Sequence, residues 1–280
     1  MNDSLILLFT LLVTHVVLQG CHSMEYQPSS GPRIVAHRGA SADAPENTIA
    51  SFRLGFDQGA DAVEGDFQLT MDGHIVAMHD GTLSRTTGDP REIDVVTLEE
   101  LESLGAGNWG RWKGSGYEDE RIPTLSAVLQ TVPADRGILI EIKDSDRIVP
   151  ILLRDLEQSG ISRDRVTVIS FDQEVISAMK QVAPVWRALW LTSFSKQTGE
   201  WRPTAREVIE IATAIGADGV DVKAEVEVVD AAFVRQVKGA GLEVHVWTVN
   251  DVDLAGHMTS AGVDSITTDR PAMLIEGSRR

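Results

Sequence analysis

Two histidines, three acidic residues, an arginine and a lysine fall within four short segments of this 280-residue chain. The first segment is Ile34-Val35-Ala36-His37-Arg38-Gly39, followed closely by Pro45-Glu46-Asn47-Thr48. The others are Val63-Glu64-Gly65-Asp66, Met78-His79-Asp80 and Ile140-Glu141-Ile142-Lys143. Each of these polar residues ends or follows a short apolar run of the kind that forms a buried strand. Parallel strands that each carry a polar residue at the C-terminal end deliver those residues to one mouth. Two imidazoles, three carboxylates, a guanidinium and an ammonium gathered there are suited to metal-assisted hydrolysis of a phosphate ester.

The chemistry follows from residue type. Glu64 and Asp66 are two apart on a strand, so their side chains share one face. Glu141 ends the next strand, and three carboxylates brought together without a partner repel and raise one another's pKa. One hard divalent cation relieves that repulsion, and an all-oxygen donor set favours Ca²⁺ or Mg²⁺ over zinc. A single Glu-x-Asp in an acidic protein is more often solvated; it is the convergence with Glu141, His37 and His79 that favours a metal. Two histidines can serve as base and acid near neutral pH, in either order. Arg38 and Lys143 can neutralise phosphoryl oxygens, the arginine through a bidentate fork. A salt bridge from Lys143 to its carboxylate neighbours is compatible with that role. His74, His245 and His257 read as structural.

The elements needed to place these groups are legible. From Arg33 onward, strand candidates at Ile34–Ala36, Ala62–Asp66, Ile138–Ile142, Val166–Ser170, Arg187–Leu191, Gly219–Val222, Glu243–Trp247 and Ser265–Thr268 alternate with amphipathic stretches. Eight strand–helix alternations predict an α/β fold, a single TIM (β/α)8 barrel over residues 33–276. Glycines such as Gly160 and Gly262 stand where helix C-caps belong. One stretch breaks the rhythm. After Asp66 the chain turns at Met71-Asp72-Gly73 and returns through Ile75 to His79, the signature of a hairpin. The return strand must run antiparallel and carry His79 back over the mouth. Residues 67–123 therefore form a cap-like insertion after the second strand, with a short helix near 97–104.

The formal charge of −17 excludes a broad basic face for nucleic acid or an anionic membrane surface. The apolar run Leu5 to Leu18 fits the h-region of a secretory signal. It ends at Leu18-Gln19-Gly20-Cys21, and Cys21 is the single cysteine. This resembles a bacterial lipobox, which implies removal of residues 1–20, lipidation at Cys21, and an extracytoplasmic, membrane-anchored protein whose tether is residues 21–32. The first four residues, Met1-Asn2-Asp3-Ser4, lack the positive charge usual in such signals. Nothing in the sequence bears on oligomeric state.

Taken in order, the quoted segments, with Arg85-Thr86-Thr87-Gly88, Ile122-Pro123-Thr124-Leu125, Trp247-Thr248-Val249-Asn250 and Thr268-Asp269-Arg270-Pro271, resemble the glycerophosphodiester phosphodiesterase family of phospholipase-C-like barrels. That resemblance implies hydrolysis of a small glycerophosphodiester to an alcohol and sn-glycerol 3-phosphate with Ca²⁺ or Mg²⁺. It implies His37 and His79 as the acid/base pair, Glu64, Asp66 and Glu141 as metal ligands, and Arg38 and Lys143 as phosphate contacts. Glu46 and Trp247 are expected at the substrate pocket. Water or the glycerol 2-hydroxyl could be the nucleophile. Gly65 departs from the family pattern, where an apolar residue usually stands, and is expected to loosen the strand locally. A lysophospholipase D would share this chemistry and would need an apolar slot in the insertion, where Trp109, Trp112 and Tyr117 could line one. A non-catalytic phosphodiester-binding lipoprotein is the reading from another class, but such a protein has no use for two proton-transfer groups.

Overall fold

The computed structural model describes residues 31–278. The expected signal sequence over residues 1–20, Cys21 and all of the expected tether but Gly31 and Pro32 lie outside the described residues. In chain order the strands are β1 (Arg33–Ala36), β2 (Ala62–Leu69), β3 (Ile75–Ala77), β4 (Gly137–Ile142), β5 (Val166–Ser170), β6 (Arg187–Thr192), β7 (Ser195–Gln197), β8 (Glu200–Arg202), β9 (Gly219–Lys223), β10 (Glu243–Trp247) and β11 (Ser265–Thr268). Strands β1, β2, β4, β5, β6, β9, β10 and β11 pair in parallel in that order, and β1 pairs with both β2 and β11, closing a TIM barrel. A helix packs outside after each barrel strand, from Ile49–Asp57 after β1 to Pro271–Gly277 after β11.

Alternation along the strands separates two apolar layers. Residues such as Val63, Phe67, Ile138, Ile140, Val220 and Val244 face outward into the main core beneath the helices. Val35, Ala62, Leu139, Ile169, Leu189 and Leu191 form a smaller inward cluster beneath Trp247. Apolar side chains fill much of the barrel, with a buried polar pair, His245 Nδ1 and Ser265 Oγ at 2.7 Å, among them. Gly160 and Gly262 cap their helices in the left-handed conformation, at φ 67° and 91°.

The hairpin forms as predicted. β3 runs antiparallel to the end of β2, with Phe67 opposite Ala77 and Leu69 opposite Ile75. The second strand is longer than expected. β2 continues to Leu69, so the insertion's first three residues belong to the barrel strand, where the hairpin partner extends the pairing. The helix after the insertion is Leu125–Leu129, capped by the Thr124 side chain. The insertion has its own small core of Val76, Met78, Leu83, Ile93, Val96, Leu101, Ala106 and Ile122. Its helix Leu98–Glu102 starts at a capping box in which Thr97 and Glu100 exchange hydrogen bonds. The β7–β8 hairpin, turning at Thr198-Gly199, was not anticipated; its strands are short and mostly exposed, so they carry no apolar alternation.

Gly65 does not loosen its strand. It stays in register opposite Ile140 of β4. A Cβ there would lie 2.9 Å from Phe52 Cζ, so the glycine makes room for the ring of the first helix. Gly39 has a similar task. A Cβ on it would stand 2.3 Å from the Ser51 carbonyl carbon, so only glycine lets the loop after His37-Arg38 press against that helix.

Candidate active site

A cavity of about 290 Å³ opens at the C-terminal ends of the barrel strands, where TIM barrels place their active sites. His37, Arg38, Glu64, His79, Glu141, Lys143 and Trp247 all line it. The barrel strands bring Glu64 and Asp66 from β2 and Glu141 from β4, and the hairpin returns His79 over them. Asp66 pairs in register with Glu141 across the two strands.

One oxygen from each of Glu64, Asp66 and Glu141 lies within 4.8 Å of the others. Glu64 Oε1 and Asp66 Oδ1 are buried and have no hydrogen-bond partner among the described residues. Burial pushes the Glu64 carboxyl well above its ordinary range, with Asp66 and Glu141 adding to the effect. Burial and Asp66 raise Glu141 as well, against the pull of Lys143. Asp66 is the exception: burial opposes its ionisation, but Arg38 and Lys143 hold it below the usual carboxylate range. Orphaned buried carboxylate oxygens facing one another are what a hard divalent cation satisfies, so this donor set fits one.

The cations are engaged by the same acids. Arg38 Nε is 3.1 Å from Asp66 Oδ2, and Lys143 Nζ is 2.6 Å from Glu141 Oε1 and 3.4 Å from Asp66 Oδ1. Arg38 has a left-handed φ of 53°, and its backbone N–H donates to Glu64 Oε2 at 2.9 Å. Asn47 holds Asp66 from two sides, donating through Nδ2 at 2.8 Å and accepting from the Asp66 N–H at 3.1 Å.

Each histidine is held by a carboxylate at the same ring nitrogen. His37 Nδ1 lies 2.6 Å from Asp269 Oδ1, and His79 Nδ1 lies 2.7 Å from Asp80 Oδ1. Nε2 is in each ring the nitrogen left for proton transfer, and that of His37 lies 3.9 Å from Glu64 Oε2. Asp269 is fixed in turn by Ser41 and Asn250. Asp80 is fixed by Arg85, whose Nε donates to it at 2.6 Å. Asp269, Asp80, Asn47, Arg85 and Asn250 sat inside the recognised motifs, but single positions in a motif do not show which partner each will meet.

Glu46 is placed otherwise than expected. It is not among the residues lining the cavity; Arg38 and Arg85 clamp it, at 2.9 Å and 2.8 Å. It thereby ties the loop that bears Arg38 to the insertion that bears His79. Trp247 does line the cavity, with its indole N–H donating to the Asp221 carbonyl at 3.2 Å and its ring edge-to-face with Phe171. None of Trp109, Trp112 and Tyr117 lines it. Trp112 and Tyr117 pack edge-to-face at 5.8 Å, Arg85 lies over Trp109, and the Tyr117 hydroxyl donates to the Asp43 carbonyl at 3.3 Å, so these aromatics pack within the insertion and against the loop after β1.

Residues 37–273 match the model of the glycerophosphoryl diester phosphodiesterase family. The chain is 33% identical over 254 residues to the glycerophosphodiester phosphodiesterase of Caldanaerobacter subterraneus, covering 88% of this chain and 98% of that one. It is 30% identical over 250 residues to the Bacillus subtilis glycerophosphodiester phosphodiesterase, covering 85% and 83% respectively. Among solved structures, a phosphodiesterase of Oleispira antarctica in complex with the product sn-glycerol 3-phosphate superposes with a TM-score of 0.78 at 29% identity, covering 89% of this chain and 98% of that one.

Proposed function

This chain belongs to the glycerophosphoryl diester phosphodiesterase family, and from that premise we propose that it hydrolyses glycerophosphodiesters to an alcohol and sn-glycerol 3-phosphate at the cavity described above. The observation that carries this reading is the pair of imidazoles, each tethered at Nδ1 by its own aspartate, beside three clustered carboxylates, two of which keep a buried oxygen without a hydrogen-bond partner among the described residues.

Glu64, Asp66 and Glu141 would hold one divalent cation, Ca²⁺ or Mg²⁺ by the oxygen-only donor set. Bound there, such an ion supplies Lewis-acid polarisation of the phosphoryl oxygens, which can contribute several kcal/mol of transition-state stabilisation. Arg38 and Lys143 add positive charge beside the same oxygens. One of His37 and His79 accepts the proton of the attacking hydroxyl at Nε2, and the other donates one from Nε2 to the departing alkoxide. Asp269 and Asp80 hold the two rings in place at Nδ1. The clamp of Glu46 by Arg38 and Arg85 ties the loop after β1, which bears His37, to the insertion, which bears His79.

The lysophospholipase D reading has no such support, because the aromatic residues that would line its acyl slot pack against one another and against the insertion. The sequence around Cys21 supports lipid anchoring outside the cytoplasm. Among the described residues no helix is long and apolar enough to cross a membrane.

The test uses residues 24–280, stripped of metal and incubated with glycerophosphocholine. Release of glycerol 3-phosphate on restoring Ca²⁺ or Mg²⁺, and none in chelator, is the expected result. A folded protein that releases none with choline, ethanolamine or glycerol headgroups overturns the proposal. Globomycin sensitivity and lipid labelling of Cys21 test the anchor.

A further inference from the structure

Among the described residues of the insertion, His79 alone lines the cavity. A segment that gives one side chain to the site leaves the choice of substrate to the barrel, and its remaining aromatic and cationic residues are directed elsewhere. Arg85 lies over the Trp109 ring at 5.2 Å, and Arg111 over Trp112 at 4.4 Å. Both rings are fixed. The Trp109 indole N–H donates to the Ala106 carbonyl at 2.9 Å, and Trp112 is buried against Tyr117. The loop that carries them is closed at its base, where Gly105 bridges to Arg121 and the Ala106 N–H donates to the Glu120 carbonyl. A guanidinium stacked on a fixed ring loses little further freedom when its planar fork meets an acceptor.

Each of these arginines leads to one histidine. Arg85 Nε donates to Asp80 Oδ2 at 2.6 Å, and Asp80 Oδ1 accepts from His79 Nδ1. Arg111 Nη2 donates to the Ser41 carbonyl at 2.7 Å. The Ser41 hydroxyl donates to Asp269 Oδ1 at 3.0 Å, and the Ala42 N–H donates to the Asp269 carbonyl at 3.0 Å. Asp269 Oδ1 accepts in turn from His37 Nδ1. The loop after β1 is one that needs holding. Its Arg38 and Asn47 have left-handed φ values of 53° and 57°, and backbone of this kind persists where surrounding contacts over-determine it. The insertion meets the same stretch at three further points: Arg85 on Glu46, Tyr117 on the Asp43 carbonyl, and Glu120 accepting from the Ala50 N–H.

We propose that the insertion is a brace for the two histidines, in which Arg85 acts through Asp80 on His79 and Arg111 acts through Ser41 and Asp269 on His37. Arg85 and Arg111 are positioning residues, and neither lines the cavity. The proposal deepens the phosphodiesterase reading and rests on it for its kinetic part.

The experiment uses Arg85→Met and Arg111→Met, which keep an apolar stem over each tryptophan and remove the fork. The substrates are glycerophosphocholine, glycerophosphoethanolamine and glycerophosphoglycerol, in Ca²⁺. Each variant should lose about tenfold in kcat on all three, through a misplaced ring, with KM within about twofold. Arg111→Lys, which keeps a donor for the Ser41 carbonyl, should recover most of the loss. Ser41→Ala removes the hydroxyl that reaches Asp269, so adding it to Arg111→Met should cost no more than the worse single change. Asp80→Asn added to Arg85→Met should behave likewise. A raised KM, or a changed order among the three substrates, would mean that the insertion reads substrate and would overturn the brace. Unchanged kcat, or losses that multiply within either pair, would overturn it as well. A second readout needs no turnover and so separates this proposal from the phosphodiesterase reading. In ¹⁵N spectra of the histidine rings, Arg85→Met should move the His79 signals and leave those of His37, and Arg111→Met should do the reverse. Movement of both rings in both variants would mean a general loosening of the fold, and movement of neither would mean no brace; both results count against the proposal.

Discussion

Asp269 Oδ1 and His37 Nδ1 lie 2.6 Å apart although 232 positions separate them in the chain. β1 and β11 are neighbours in the closed barrel, so the first and last strands each end at this pair. The contact fixes the ring's orientation and leaves Nε2 as the nitrogen that exchanges a proton with substrate. Asp269→Asn keeps the shape but loses the charge. It should lower kcat about a hundredfold with little change in KM, within the range assigned to general acid–base groups. Steady-state kinetics on glycerophosphocholine checks this, and an unchanged kcat would remove Asp269 from the mechanism.

The same pair makes a pH prediction with a definite sign. The Asp269 carboxyl, although burial opposes its ionisation, is held by His37, Asn250 and Ser41 at about 2, against an ordinary 3.8. A depressed carboxylate contributes stability that is fully present above the unfolded value and lost as pH falls through the folded one. The thermal midpoint gap between the unaltered protein and Asp269→Asn should therefore be constant above about 4 and close as pH falls toward about 2. The gap is expected to be small, because the site is partly exposed. Circular dichroism melts across that range give the answer.

His37→Ala and His79→Ala should each remove turnover, by a factor of about 10² to 10⁴, with the fold unchanged. Substantial activity surviving in His79→Ala would falsify the assigned pair.

Glu64→Gln should uncouple stability from metal. In the unaltered protein Ca²⁺ should raise the thermal midpoint, by about 2.7 kcal/mol of stabilisation at a hundredfold excess over Kd. The variant should lose that response. In chelator it should melt at or above the unaltered protein, because one of three repelling buried carboxylates becomes neutral. A lower melting temperature in chelator would mean that the Glu64 charge stabilises the fold directly.

Gly65→Ala places a Cβ 2.9 Å from Phe52. Overpacking of this kind costs about 1–3 kcal/mol, and Phe52→Leu should recover part of it. Denaturant unfolding of the single and double variants measures the coupling. Independent, additive effects would rule out the close contact.

Much of this protein is local and therefore readable from its sequence. The β-branched runs, the helix caps at Thr48 and Thr97 and the Asp72-Gly73 turn each depend on neighbours within a few positions. The alternation that puts Glu64 and Asp66 on one face is also local, because strand geometry repeats every two residues. Eight such units leave few ways to close, which is why the barrel and the convergence of His37, Glu64, Asp66, His79 and Glu141 could be expected. Partner choice was not legible. Glu46 could as well have met substrate as Arg38 and Arg85, and the explanation of Gly65 waits on where Phe52 packs. Asp221 reads in the chain as one more acid in an acidic protein. Only barrel closure buries it beside Trp247 and Thr267, because contacts across a closed sheet are set by strand order and stagger, and no spacing along the chain encodes those.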